Sequence, residues 1–127
     1  MKRVTGIGGV FFKSPDPQRL AEWYRFHIGF NLEEWGRFVF SWAGPDNPTG
    51  TGTTVWNAFK DDTDHLGSGR SFMFNYQVDD LYALLAALRA EGCQVEDKVD
   101  ESEFGKLGWI RDVDGNRVEL WEPPAGR

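Results

Sequence analysis

Hydrophobic and polar positions repeat with two different periods along this chain, and their succession predicts an α+β fold. A period of two indicates strands, and a period near 3.6 indicates helices. Helices are predicted to begin after Asp16 and after the Asp79-Asp80 pair, whose side chains can cap them, and to end at Gly29 and Gly92. Strands are predicted at about 4–13, 31–35, 37–42, 53–59, 71–78, 94–102, 106–111 and 117–122.

Each predicted helix carries a stripe of larger side chains that should face the sheet. Residues three and four apart lie on one side of a helix, so such a stripe marks the buried side. The two stripes are Leu20, Trp23, Tyr24 and His27 in the first helix, and Leu81, Leu84, Leu85 and Leu88 in the second.

The order of one strand, one helix and three strands occurs twice, which indicates an internal repeat. The helical spans 16–29 and 79–92 have equal length. We therefore predict a single domain made of module one at about 4–59, a polar linker at 60–70, and module two at about 71–123. Two such modules can pair their strands into one curved sheet with helices outside and a cleft inside. That cleft is the default ligand site.

The last predicted strand places an acid on the concave side of this sheet. Asp114-Gly115 predicts the turn before it, and Glu119 and Trp121 then alternate with Val118 and Leu120. The apolar pair suits a helix layer, so Glu119 and Trp121 are expected in the cleft. The alternative is an edge strand whose Glu119 points into water.

Composition and net charge limit the kinds of partner that are expected for the 127-residue chain. Its net charge of −6 and lack of a basic cluster exclude nucleic acid and anionic membrane surfaces as expected partners. No apolar run is long enough to span a membrane, and no basic-then-apolar leader precedes the first strand.

Cys93 is the single cysteine, which fits a cytoplasmic protein. Six Trp and ten Phe predict a core or a pocket rich in rings.

Three segments carry a family resemblance: EWYRFHIGF, YQVDDLYALLAALRAEG and DVDGNRVELWEP. With the repeat, they make the chain resemble the vicinal oxygen chelate superfamily, which contains glyoxalase I, bleomycin-resistance proteins and extradiol dioxygenases. The resemblance implies two βαβββ modules paired into a mixed sheet with a U-shaped cleft. It also implies a homodimer.

Metal-using members of this superfamily hold a divalent ion with four side chains from the first and last strands of each module. Carried over through the resemblance, those positions fall on Gly9, Thr54, Met73 and Glu119. Only Glu119 is a good ligand for a hard cation, since glycine has no side chain and a thioether is soft. No metal or other cofactor is therefore expected, and a metal-dependent glyoxalase mechanism is disfavoured.

Strand alternation predicts an aromatic cleft with a few polar groups. The predicted ligand-binding residues are Phe11, Thr54, Trp56, Met73, Asn75, Trp109 and Trp121, with Gln77 on the same face and Glu119 as a candidate catalytic residue. Such a site suits a small, flat organic molecule, aromatic or cationic. The alternative is that these rings are core. His65 in the linker is either solvated or folded over the mouth of the pocket.

Two functions from different classes follow, and the residues leave open whether the chain is an enzyme. The first is metal-independent binding of a small molecule, of the kind that bleomycin-resistance proteins perform. The second is a glyoxalase-like lyase or isomerase, of the lactoylglutathione lyase type, with Glu119 as base or as the sole protein ligand of a metal. An interaction role, with the cleft closed by its own side chains, is a third.

Overall fold

The computed structural model describes residues 3–28, 37–43, 50 and 52–125. The predicted strand at 31–35 and the predicted helix end at Gly29 lie outside these residues. The elements in chain order are β1 (Val4–Ser14), α1 (Pro17–Ile28), β2 (Phe38–Ser41), β3 (Thr53–Lys60), β4 (Phe72–Val78), α2 (Leu81–Ala90), β5 (Gln94–Ser102), β6 (Gly105–Arg111) and β7 (Arg117–Glu122).

The seven described strands form one curved mixed sheet in the order β2-β3-β1-β4-β7-β6-β5. The first strands of the two repeats, β1 and β4, lie antiparallel at its centre. Each also pairs in parallel with the last strand of its own repeat, β1 with β3 and β4 with β7. The predicted α+β fold with two paired modules is confirmed.

Helix α2 packs on the second half of the sheet through the predicted leucine stripe. The Asp80 side chain accepts a hydrogen bond from the backbone N–H of Ala83, which caps the helix. Leu81, Leu84 and Leu85 are buried, and they form a core with Val78 and Leu120 of the sheet. The stripe was predictable because every one of its positions is a leucine at helical spacing.

Helix α1 packs differently from its predicted stripe. Ala21 is buried, whereas Trp23 and His27 are exposed. Tyr24 contacts the ring of Trp56 on β3 with 5.0 Å between centroids. Because Ala21 and Tyr24 mark the side of the helix that packs, Trp23 and His27 lie on its outer side. The predicted burial of these two residues is therefore wrong.

The turn between β6 and β7 forms at the predicted Asp114-Gly115 pair. Gly115 has a φ of +83°, which glycine adopts without strain. The Asp112 carboxylate accepts hydrogen bonds from the backbone N–H groups of Asp114 and Asn116 and from the Asn116 amide. These hydrogen bonds, those from Asn116 above all, lower the pKa of Asp112. The turn thereby fixes where β7 begins.

Candidate functional site

The site is centred on a row of residues that crosses the middle of the sheet. Glu119 on β7 lies opposite Asn75 on β4, Asn75 lies opposite Gly9 on β1, and Gly9 lies opposite Val55 on β3. Paired residues on neighbouring strands point to the same face of a sheet. The register therefore corrects two carried-over positions, because Val55 and Asn75 occupy the row where Thr54 and Met73 were expected.

Glu119 is the buried polar centre of the site, with 3% of its surface exposed. Its Oε1 accepts a hydrogen bond from Trp109 Nε1 at 3.0 Å and lies 3.1 Å from His65 Nε2. Its Oε2 accepts a hydrogen bond from Asn75 Nδ2 at 2.6 Å. A buried carboxylate is stable only when donors replace its water, and these three groups do so. The alternative that Glu119 points into water is wrong.

The amide of Asn75 holds a buried acceptor next to Gly8. Since Nδ2 must donate to the Glu119 carboxylate, Oδ1 points the other way, towards Gly8. Asn75 is 3% exposed, and its Oδ1 has no hydrogen-bond partner within the described part of the chain. Gly8 allows this approach, because a Cβ there would collide with Oδ1.

A cleft of about 220 Å³ opens above this centre. Of the predicted residues, Phe11, Asn75, Glu119 and Trp121 line it, as does His65, for which a pocket position was one of two hypotheses. Sequence reasoning missed the rest of the lining, which comprises Gly8, Arg37, Val39, Thr53, Val55, Asn57, Phe59, Ser102, Phe104 and Leu107. The Arg37 guanidinium lies 5.2 Å from the centroid of the Phe104 ring, so a cation stands on the aromatic wall. The cleft thus combines rings with one positive and one negative side chain.

Strand β3 presents the opposite face from the one predicted. Thr53, Val55 and Asn57 line the cleft, and Thr54 and Trp56 do not. The Thr54 hydroxyl donates to the Ile7 carbonyl and accepts from Trp42 Nε1. Trp56 packs against the rings of Phe12, Tyr24 and Phe38 on the side of α1. Every residue at 53–59 is half-buried, so neither face of β3 is clearly the core face. Alternation of polar and apolar residues therefore cannot show which face of this strand points into the cleft.

Two further residues that were predicted to line the cleft, Met73 and Trp109, lie in the core. Met73 is 1% exposed and packs with Phe11, Leu66 and Trp109. Trp109 is also buried and reaches the site through its indole N–H. The structure therefore brings Met73 and Trp109 beneath the cleft without making them part of its lining.

The linker folds over one end of the cleft and brings His65 to Glu119. The His65 ring stacks on Phe59, with centroids 5.3 Å apart and planes 16° apart. The next residue, Leu66, is fully buried. Of the two hypotheses for His65, the pocket position is the one observed. The signal in the sequence was the lone apolar Leu66 beside it, which anchors an otherwise polar segment.

Arg117 ties this linker to the sheet. Its Nη1 donates to the His65 carbonyl, and its Nε and Nη2 donate to the Glu96 carboxylate at 2.9 and 2.8 Å. The hydrogen bonds with Arg117 lower the pKa of Glu96, and the same bonds raise the pKa of Arg117. A charged pair of this kind holds the backbone that positions His65.

The residues of the row do not fit a resident divalent ion. Within the described ranges, no three or more His, Cys, Asp or Glu side chains are grouped as metal ligands would be. Gly9 has no side chain and Val55 no donor atom. Glu119 already accepts hydrogen bonds from buried donors on both oxygens. A resident zinc ion is held by three or four protein N, O or S donors, and of this row only Glu119 and the Asn75 amide carry donor atoms.

A family model agrees with this fold. The model of the Glyoxalase/Bleomycin resistance protein/Dioxygenase superfamily matches residues 6–120. The chain therefore belongs to that superfamily, which confirms the resemblance to vicinal oxygen chelate proteins. A search among curated proteins finds no significant match.

Several solved structures are similar to the chain. A methylmalonyl-CoA epimerase in complex with methylmalonyl-CoA and NH4+ has a TM-score of 0.73 at 17% identity, covering 98% of each chain. The methylmalonyl-CoA epimerase of Mycobacterium tuberculosis has a TM-score of 0.64 at 22% identity, covering 95% of this chain and 89% of that one. An NAD-dependent benzaldehyde dehydrogenase from Legionella pneumophila has a TM-score of 0.60 at 13% identity, covering 91% and 98%. At these levels of sequence identity, the similarity to the solved structures is evidence for the fold alone.

Among the described residues, neither helix has the length and apolar character needed to cross a membrane.

Proposed function

We propose that the cleft binds a small organic molecule without a metal, and that the ligand donates a hydrogen bond to Asn75 Oδ1. The observation that carries this proposal is this buried acceptor, which has no partner among the described residues and belongs to a side chain that lines an aromatic cleft. Leaving such an atom unsatisfied costs about 1–3 kcal/mol, and a ligand N–H or O–H would recover part of that cost.

The walls favour a flat and compact ligand. Phe11, Phe59, Phe104 and Trp121 supply ring faces, on which an aromatic molecule can stack. The volume of about 220 Å³ is below the usual range for drug-sized ligands, so the ligand fits best as a single substituted ring.

The charges in the cleft favour a neutral donor over a cation. Glu119 would attract a cationic group, and Arg37 on the same cleft would repel it. A phenol, amide or aniline donates hydrogen bonds without this conflict. An aromatic cation is the competing ligand class, and a binding experiment separates the two.

The proposal is tested by ligand-induced thermal stabilisation and by amide chemical shifts in nuclear magnetic resonance. The probes are phenol, benzamide and benzylamine, with toluene as the ring that has no donor. We expect phenol or benzamide to raise the melting temperature of the wild type more than toluene or benzylamine does. Asn75→Leu should abolish that difference, and Glu101→Gln, a carboxylate outside the cleft, should keep it.

Two results would refute the proposal. One is that no probe stabilises the protein or shifts the amides of the cleft strands. The other is that phenol or benzamide binds a folded Asn75→Leu variant as tightly as it binds the wild type. A response to benzylamine alone would assign the site to cations, with Glu119 as their partner.

A second candidate function is metal-free proton transfer, as in an isomerase. It is favoured by the contact of 3.1 Å between His65 Nε2 and Glu119 Oε1, which places a base and a proton carrier in one cleft. Its test is exchange of the α-protons of hydroxyacetone in D2O with a chelator present. Glu119→Gln should stop any catalysed exchange, and exchange that persists in this variant would exclude Glu119 as the base.

The proposed cellular location is the cytoplasm. Cys93 is an exposed free thiol, which a reducing compartment preserves.

A further inference from the structure

The binding proposed for the cleft makes no use of the His65 imidazole, which is part of its lining. The ring has defined contacts. Its Nε2 lies 3.1 Å from Glu119 Oε1, and the Phe59 ring stacks on it with centroids 5.3 Å apart. The Trp109 indole stands nearly perpendicular to it, at 86°. Because these contacts restrict the side chain to one orientation, the imidazole is positioned before any ligand binds.

The backbone around His65 is fixed as well. Its N–H donates to the Thr63 hydroxyl at 3.2 Å, and its carbonyl accepts from Arg117 Nη1. The next residue, Leu66, is fully buried. The fold therefore sets the position of the ring from both its side chain and its backbone, which is what a group that takes part in chemistry requires.

The contacts of Glu119 assign the proton of the His65 ring to Nε2. An ionised carboxylate only accepts hydrogen bonds, and the obligate donors Trp109 Nε1 and Asn75 Nδ2 already bond to its two oxygens. Nε2 is then the third donor to the same carboxylate. In a neutral imidazole, the other nitrogen, Nδ1, consequently keeps its lone pair.

This second nitrogen is accessible to water. Among the described residues, the hydrogen-bond partner of the His65 ring is Glu119 alone. Nδ1 is not one of the buried side-chain atoms that lack a partner in this part of the chain. The side chain of His65 is 34% exposed, against 4% for that of Glu119. The cleft thus presents an imidazole lone pair that solvent can reach, while the carboxylate that orients it is buried.

We propose that His65 Nδ1 is a general base for water, and that the cleft hydrolyses carboxylic esters of small phenols. This activity rests on the proposed binding of a single ring and adds a reaction to it. Nδ1 takes a proton from water as the water oxygen bonds to the ester carbonyl carbon. The bond from that carbon to the phenol oxygen then breaks, and Nδ1 returns the proton to the leaving oxygen. The products are a carboxylic acid and a phenol.

The cleft favours this class of ester. Its ring walls and its volume of about 220 Å³ accept one substituted ring, which in an aryl ester is the leaving group. A phenol has a pKa of about 10, so its oxygen leaves more readily than that of an aliphatic alcohol. Arg37 also lines the cleft, and a cation there stabilises negative charge that develops on the ester oxygens.

Glu119 is a positioning residue in this reaction. Its carboxylate keeps the hydrogen bond to Nε2 throughout, which fixes the tautomer of His65. The same carboxylate stabilises the positive ring that forms when Nδ1 takes the proton. The reacting atoms meet the imidazole, and Glu119 acts on them only through it.

The experiment measures hydrolysis of 3-hydroxyphenyl acetate by the full chain, with a chelator present. The free hydroxyl of this ester supplies the donor that the proposed function requires at Asn75. We expect the wild type to be at least about 100-fold faster than free imidazole at the same concentration. Ethyl acetate, which has no ring, should be hydrolysed no faster by the protein than by imidazole.

Two matched controls separate His65 from other reactive groups. His65→Gln should remove the rate advantage, with the circular dichroism spectrum unchanged. His27→Gln should keep it, because His27 is exposed on α1 and is not part of the cleft lining. Cys93→Ser should also keep it, since this variant removes only an exposed thiol.

The positioning role of Glu119 has readouts of its own. Glu119→Gln should lower kcat about 10- to 100-fold and change KM by less than about 2-fold, because the substrate does not contact this residue. A nitrogen-15 nuclear magnetic resonance spectrum of the wild type shows which ring nitrogen of His65 carries the proton, and it requires no variant. We expect that proton on Nε2.

Three results would overturn the inference: hydrolysis no faster than by free imidazole, equal losses in His65→Gln and His27→Gln, or a His65 proton on Nδ1. Thermal stabilisation by phenol distinguishes these failures from a failure of the proposed function. If phenol binds and no ester is hydrolysed, only the reaction is wrong. If no ring probe binds either, the binding proposal fails together with it.

Discussion

The two faces of the β1–β4 pair differ in a way that inverts the usual distribution of residues in a globular protein. On the concave face, the polar side chains of Asn75 and Gln77 are buried, and Asn75 donates a hydrogen bond to Glu119. On the outer face, Phe72 and Phe74 are exposed. Buried polar groups and exposed apolar groups are both costly, and both are informative about function. The two faces of the same two strands therefore differ in kind, with buried polar groups on the concave face and exposed rings on the outer face.

The largest expected difference is in the free energy of unfolding that is lost when one ring is removed from each face. Phe11→Ala on the concave side removes a core side chain that is 7% exposed and should lower the free energy of unfolding by about 3–5 kcal/mol. Phe74→Ala on the outer side, at 40% exposure, should lower it by about 1–2 kcal/mol. Urea unfolding measures both losses. Equal losses would contradict the difference in burial between the two rings.

Removal of the buried acid should have the next largest effect. Glu119→Ala leaves the Trp109 indole N–H and the Asn75 amide without their acceptor, both inside the protein. We expect a loss of about 3 kcal/mol in the free energy of unfolding. Glu101→Ala removes an exposed carboxylate that accepts from Tyr82 and should change stability by less than about 0.5 kcal/mol. A small loss for Glu119→Ala would show that the donors find other partners.

A methyl group at Gly8 tests whether this residue packs directly against the Asn75 side chain. Its Cβ would collide with Asn75 Oδ1 and press on the Trp121 ring, so Gly8→Ala should cost about 2 kcal/mol and weaken ligand binding. Asn75→Ala removes the obstacle, and the double variant should be more stable than the two single losses predict, by about 1 kcal/mol. Strictly additive losses would mean that Gly8 and Asn75 do not touch.

The smallest predicted effect concerns the pH dependence of the linker that carries His65. The pKa of Glu96 is lowered by its hydrogen bonds to Arg117, so the folded state favours the ionised carboxylate. This contribution is present above the unfolded pKa of about 4.3 and is lost as the pH falls through the lower folded pKa. Because the pair is partly exposed, it contributes less than about 1 kcal/mol.

Glu96→Gln tests this contribution. The wild type should be more stable than the variant at pH 7, and the two should become equal well below pH 4. Thermal unfolding across this pH range measures the difference. A gap that stays constant with pH would show that Glu96 stabilises the linker by packing and not by its charge.

Local patterns predicted most of the fold because its signals are strong and short-range. The leucines of α2, the capping Asp80 and the Gly115 turn each act within a few residues, so the sequence alone indicates them. The internal repeat then predicted two paired modules, which the sheet confirms. The α1 stripe failed at Trp23, because the helix side that packs was decided by Ala21 and by the ring of Trp56.

The candidate site could be predicted only in part, since it depends on strand register. Register shifts lie in the β1–β4 pairing between Ile7 and Gly9, and a slip of one residue turns every following side chain to the other face. Alternation placed Glu119 and Trp121 in the cleft but set β3 one residue out of register, because Val55 and not Thr54 lies opposite Gly9, and Trp56 therefore fell on the wrong face. Register also set Asn75, and not Met73, opposite Glu119.

Short-range patterns in the sequence are enough to indicate the superfamily, the paired modules and the acid at the centre of the concave face. The groups that surround this acid, and the surface that stays open, depend on how the elements pack in three dimensions. His65 and Trp109 are 54 and 10 residues from Glu119, and both reach the same carboxylate oxygen. Phe72 and Phe74 on the outer face are apolar, yet they are exposed because α1 packs on β3 and β1 and α2 packs on β5, β6 and β7. The physical reason is that burial is a property of neighbours brought together by folding, which short-range patterns do not contain.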